Sequence, residues 1–111
     1  MDAYAQSKLA LTMWSQAMAN AYPNGPVFIA VNPGSLLASK MVKEGFGMAG
    51  NDIRIGADIL TRLSEDDEFA YASGKYFDND RGSFGPPHAD ASNASKSQAV
   101  VQAIQDVAAQ L

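Results

Sequence analysis

At 111 residues the chain has room for one domain, and 47% apolar with 18% charged residues is the make-up of an ordinary globular protein. A net charge of −4 excludes the basic surface that nucleic acids and anionic membranes require. The absence of cysteine excludes disulfides and thiolate metal sites.

Residues 2–22 are predicted to be a helix. Asp2 suits its start, where a carboxylate meets exposed N–H groups and the positive end of the dipole. Leu9, Leu11, Met13, Trp14 and Met18 are spread over more than half the circumference, so the helix should be buried on several sides. Tyr22-Pro23 stops it, and Pro23-Asn24-Gly25-Pro26 makes a tight turn. Val27–Val31 is a short continuous apolar run between turn residues, the pattern of a strand covered on both faces. Asn32-Pro33-Gly34 breaks it. Proline removes a donor and fixes φ, while glycine lets a ligand approach the backbone.

Residues 35–50 are read as a glycine-rich loop with a short helix near 38–44. Asn51 is the expected cap of an amphipathic helix over 52–64, with Ile53, Gly56, Ala57, Ile59, Leu60 and Leu63 at helical spacing. Ser64 to Glu68 is an acidic, solvated connection. Gly74 to Phe77 reads as a second short strand, and Asp78 to Pro87 as turn chemistry. Residues 88–95 are polar and expected to be a mobile connection. From about Ser97 a last helix runs to the end of the chain, with Val100, Val101, Ile104, Val107, Ala108 and Leu111 on one side. No apolar run approaches the roughly 20 residues of a spanning helix. The first residues lack the basic and apolar regions of a signal peptide. A cytoplasmic protein, not bound to membrane, is the expectation.

Helix, tight turn, buried strand and Pro-Gly break form the rhythm of an α/β protein. In open parallel sheets, ligands sit at the carboxyl ends of strands, where this break falls. Tyr4 and Lys8 stand at i and i+4 and therefore share a helix face. A phenol is a poor base near neutral pH, and a neighbouring ammonium favours the phenolate. Such a tyrosine can exchange a proton with an alcohol or a carbonyl. Taken alone, the pair equally describes a solvated helix surface.

The combination is more specific. Tyr4-Ala-Gln-Ser-Lys8-Leu-Ala, a helix, and then Val27-Phe-Ile-Ala-Val-Asn-Pro-Gly34 resembles the short-chain dehydrogenase/reductase family. The resemblance continues through the loop after the break, the helix at 52–64 and the strand at 75–77. It implies an NAD- or NADP-dependent oxidoreductase acting on a small alcohol or carbonyl substrate. It also implies a Rossmann-type doubly wound parallel sheet, of which this chain would hold the C-terminal part, with about two strands and three to four helices. By the resemblance, Tyr4 is the general acid/base. Lys8 holds the nicotinamide ribose and supports the tyrosine electrostatically. Pro33 and Gly34 border the nicotinamide, and the backbone of Leu36 faces its carboxamide. The family often has a threonine four residues after the glycine of the break. Here Ala38 stands there, and Ser39 takes that part only if the loop is shifted by one residue.

The family's glycine-rich nucleotide loop, its Asn-Ala-Gly segment and its catalytic serine all lie upstream of the tyrosine. The expectation is therefore the C-terminal half of such a domain, without the nucleotide-binding half, which binds cofactor weakly or not at all when alone. A second reading is a non-catalytic packing module. The family's tyrosine-lysine helix commonly packs on its mate from another subunit, so a homo-oligomer through the 2–22 helix is expected.

Two other motifs carry less. Gly45-Phe-Gly47-Met-Ala-Gly50 has the spacing of a dinucleotide loop but does not come directly out of a strand; it is better read as a hinge of a substrate lid. His88 is the one histidine and stands in a loop, so no metal site is expected. No Gly-x-Ser-x-Gly elbow supports a hydrolase.

Overall fold

The computed structural model describes residues 2–35 and 50–111. Among them are three α-helices, α1 (Ala3–Ala21), α2 (Arg54–Glu65) and α3 (Ala94–Ala108), and three strands, β1 (Ala30–Asn32), β2 (Tyr76–Asp78) and β3 (Ser83–Gly85). The strands make one mixed sheet in the order β1-β2-β3. β1 and β2 run parallel, with Ala30 opposite Tyr76 and Asn32 opposite Asp78. β2 and β3 form an antiparallel hairpin with Phe77 opposite Phe84. The fold is a small α/β domain.

Local chemistry sets the ends of these elements. Asp2 accepts from the Ala5 amide at 2.7 Å and starts α1. The Tyr22 amide closes the helix on the Met18 carbonyl, and the chain reverses through Pro23–Gly25. Before the regular ladder, Phe28 is held on both sides. Its amide donates to the Ser73 hydroxyl and its carbonyl accepts from the Gly74 amide. Asn93 starts α3 by accepting from the Lys96 amide.

Consecutive strand residues point to opposite faces of a sheet. Ile29 and Val31 therefore share one face, where they pack with Phe77, Ile59, Phe69, Ala72, Leu63 and Phe84 under α2. Ile59 is only 2% exposed. Phe69, Phe77 and Phe84 meet edge to face, with centroids 5.1–6.3 Å apart. Such pairs add about 0.5–1.5 kcal/mol to the burial of their area. Phe28 points the other way and meets Trp14 of α1 edge-on at 6.0 Å. The layers are thus α2, sheet, and α1 with α3. Buried α1 residues fall into two pairs, Met13 with Ala17 and Ser15 with Ala19. Successive helix residues are about 100° apart, so the pairs lie on nearly opposite faces. This is the several-sided burial expected of the helix, although Leu11 stays 58% exposed.

Several expectations need correction. There are three strands among the described residues, not two, and the sheet is not all parallel. Residues 83–85, expected as turn, form β3. The ladder of β1 is at 30–32 rather than 27–31, because Ser73 and Gly74 take the bonds at Phe28. Asn51 does not cap α2. Helix α2 begins at Arg54, whose amide is taken by the Asp52 carboxylate at 2.9 Å. Residues 88–95 are tied down: Ala89–Ser92 is a single 3-10 turn, and Ala91 is 2% exposed against α1 and α3. The last helix starts at Ala94 rather than Ser97. The short helix expected near 38–44 and the first two glycines of the 45–50 motif lie outside the described residues.

Candidate functional site

Two groups of side chains make up the candidate site. The first is on the opening turns of α1. Lys8 Nζ stands over the Tyr4 ring, 5.5 Å from its centroid. Tyr4 is 57% exposed, so its phenol is open to a small molecule. Ser7 and Thr12 turn their hydroxyls back onto the Tyr4 and Lys8 carbonyls, which leaves that face to the phenol and the ammonium.

The second group is the break after β1. Gly34 has φ of 137°, a conformation that a β-carbon disfavours. Its amide donates to Asn32 Oδ1 at 3.1 Å. The Asn32 amide nitrogen donates in turn to Asp78 Oδ1 at 3.2 Å and Asp80 Oδ2 at 2.9 Å. Ser35 donates to Asp80 from its amide at 2.9 Å and also from its hydroxyl. Asn79 donates to the Pro33 carbonyl at 2.9 Å and, more weakly, to that of Ile55 at 3.3 Å. Asn51 donates to the Ser35 carbonyl at 2.9 Å. The break is therefore clamped from two sides, by the β2–β3 turn and by the start of α2. Donors converging on Asp80 hold its carboxyl below the ordinary aspartate range, the Ser35 amide contributing most. Burial and the charges of Asp78 and Asp80 push the Tyr76 phenol up.

The chain reverses between α1 and β1, and Trp14 lies against Phe28. From Trp14 back to Tyr4 a helix spans about 15 Å. From Phe28 forward to Pro33 an extended chain spans about 16 Å. The break itself follows the carboxyl end of β1, at one end of the sheet. Asn32 and Asp78 lie on the α1 side of it, since they alternate with Val31 and Phe77.

Of the residues expected in the site, Tyr4 and Lys8 are brought together, and Pro33 and Gly34 form the clamped break. Leu36 and Ser39 lie outside the described residues. Sequence reasoning missed Ser35, Asn51, Asp78, Asn79 and Asp80. The signal was present as Asp78-Asn79-Asp80 between a strand and Gly82, since short Asx side chains readily bond nearby backbone.

The described residues suit one half of a dinucleotide better than the other. A side-chain-free Gly34, an exposed phenol and an ammonium fit a nicotinamide and its ribose. The pyrophosphate is a different matter, because it seeks free amides at a helix N-terminus. Carboxylates of Asp2 and Asp52 already occupy that place on α1 and α2. Among the described residues, no group of three or more histidine, cysteine or acidic side chains could hold a metal ion. None of the described helices is long and apolar enough to cross a membrane. No family model matches the chain, and no curated protein or solved structure matches it.

Proposed function

We propose that the chain carries the proton-transfer side of an NAD- or NADP-dependent oxidoreductase of the short-chain dehydrogenase/reductase type. The observation that carries this reading is an exposed Tyr4 with Lys8 over its ring, on the helix that precedes the Asn32-Pro33-Gly34 break. When bound, the nicotinamide supplies or accepts the hydride. Tyr4 gives a proton to a carbonyl oxygen during reduction and takes one from an alcohol during oxidation. Lys8 keeps a positive charge beside the phenol and is the residue to hold the ribose. Pro33 and Gly34 are the residues to border the ring.

The same reading makes the domain part of a doubly wound sheet. Helices cover both faces, and α2 lies in the crossover between parallel β1 and β2. Val27, Ile29, Val31, Leu60, Leu63 and Ser64 border an open groove of about 400 Å³.

The test is a nuclear magnetic resonance titration of the labelled chain with millimolar NAD or NADP, with AMP as control. Shifts at Tyr4, Lys8, Gly34 and Ser35 that AMP does not reproduce are expected. Shifts confined to other residues, or none up to the solubility limit, overturn the reading.

A second reading, assembly without catalysis, has its own observation. Ser7, Ala10, Leu11, Trp14 and Ile104 line an open apolar depression of about 340 Å³ between α1 and α3. Leu11 and Val107 stand exposed on these helices. Sedimentation at several concentrations decides it: association that Leu11→Glu abolishes supports it, and a monomer throughout excludes it.

A further inference from the structure

The break after β1 cannot hold its own shape. Glycine at 34 gives the backbone wide freedom there, and the local side-chain restraint on it is Asn32, bonded to the Gly34 amide. That restraint depends on the Asn32 amide being turned with oxygen toward Gly34 and nitrogen away. Asp80 and Asp78 fix this orientation by accepting from the nitrogen. Asp80 also takes both Ser35 donors. One carboxylate on the β2–β3 turn therefore sets two successive amides of the break, one directly and one through Asn32. Bonds to a charged acceptor are stronger and shorter than neutral ones, which suits a clamp in an exposed position.

We propose that Asp80 is the positioning residue of the site: its carboxylate holds Pro33–Ser35 in the shape that a nicotinamide ring meets, so the hairpin tip governs how well the ring is held. This rests on the nicotinamide reading above. Asp80 touches neither cofactor nor substrate in this scheme and acts through Asn32 and Ser35. Asp78 accepts from the Asp80 amide at 3.0 Å, the charge of Asp80 acts on the Tyr76 phenol, and Arg81 follows Asp80 in the chain. Asp78 accepts only one of the donors at the break, so it is the weaker hold.

The experiment uses the full labelled chain, Asp80→Asn and Asp80→Ala, with oxidised nicotinamide mononucleotide, which survives acid, as probe. Amide exchange at Ser35 is expected to be at least about tenfold faster in Asp80→Ala, the loss of a bond to a charged acceptor. Exchange at Phe77 stays unchanged. Probe-induced shifts at Gly34 are expected to fall by at least about half in Asp80→Asn, which keeps the shape but loses the charge. In the unsubstituted chain, the Ser35 amide shift and the probe-induced shifts at Gly34 change together as acid protonates the carboxylate. This last arm needs no variant to fold. A probe that shifts Gly34 equally in all three proteins, or equally across the acid titration, overturns the role of Asp80 alone. A probe that shifts neither Tyr4 nor Gly34 in the unsubstituted chain overturns the nicotinamide reading and this role with it.

Discussion

The backbone amide of Ser35 donates to Oδ1 of Asp80 at 2.9 Å, joining two turns that are 45 residues apart in the chain. The bond makes the stability of this end of the sheet depend on pH. The Asp80 carboxyl is held below its ordinary value by its donors in the folded protein. Its contribution is complete above the unfolded aspartate value of roughly 4. It is lost as pH falls through the folded value, because the unfolded chain binds the proton first. Denaturant midpoints should therefore decline from about pH 5 downward, the usual window for a depressed carboxylate. The decline should be shallower in Asp80→Asn. Some slope remains there, because Arg54 and Lys96 lower Asp52 and Asp90 in the same way.

Asn79 makes the opposite demand. Its amide nitrogen donates to the Pro33 and Ile55 carbonyls. Asn79→Asp replaces the donor with an acceptor facing two oxygens. Destabilisation of about 1–3 kcal/mol at neutral pH is expected, larger than for Asn79→Ala and partly reversed when acid protonates the new carboxyl. Chemical denaturation at two pH values measures it.

How much of this could be read beforehand depends on the range of the forces involved. The limits of α1 were legible within a residue, because Asp2 and Tyr22-Pro23 act locally. Strands near 27–31 and 74–77 were legible as short runs between turn residues, but their parallel pairing, Ala30 opposite Tyr76, is a long-range contact that the runs do not specify. β3 was not legible, since Ser83-Phe84-Gly85 is too short for an alternating pattern, follows Gly82 and ends in a glycine before Pro86. Asn51 illustrates a different limit. It is a good cap by type, but the carbonyl of Ser35 claims its side chain; the cap position falls on Ile53, and the Asp52 carboxylate takes the Arg54 amide. The Tyr4–Lys8 pair was visible because both lie on one helix. The Asp78–Asp80 clamp was hidden because its meaning depends on a turn far away in sequence.

Gly74 and Gly82 separate backbone strain from crowding. Both have positive φ, 84° and 70°. A β-carbon on Gly74 would lie 3.3 Å from the Ala19 β-carbon, whereas one on Gly82 meets nothing within 4 Å. Gly82→Ala should cost about 1 kcal/mol from the backbone alone. Gly74→Ala should cost more, about 2–3 kcal/mol, because α1 must also move from the sheet. Equal losses in urea melts would show that the α1–sheet contact yields freely.

Phe77 is the centre of the core on the α2 side of the sheet, 4% exposed and edge to face with both Phe69 and Phe84. Phe77→Ala should cost about 3–5 kcal/mol. Phe77→Leu keeps much of the volume but loses the ring contacts, and about 1–2 kcal/mol is expected. Thermal melts followed by circular dichroism give both values.

The central claim is that Tyr4 and the break at Pro33-Gly34 form one nicotinamide site. Intermolecular nuclear Overhauser effects between bound NAD and the labelled chain test it most directly. The predicted result is contact from the nicotinamide ring protons to the Tyr4 ring and to the Gly34 amide in the same spectrum. Contacts from the adenine protons alone, or nicotinamide contacts that reach one of the two residues and never the other, would contradict it.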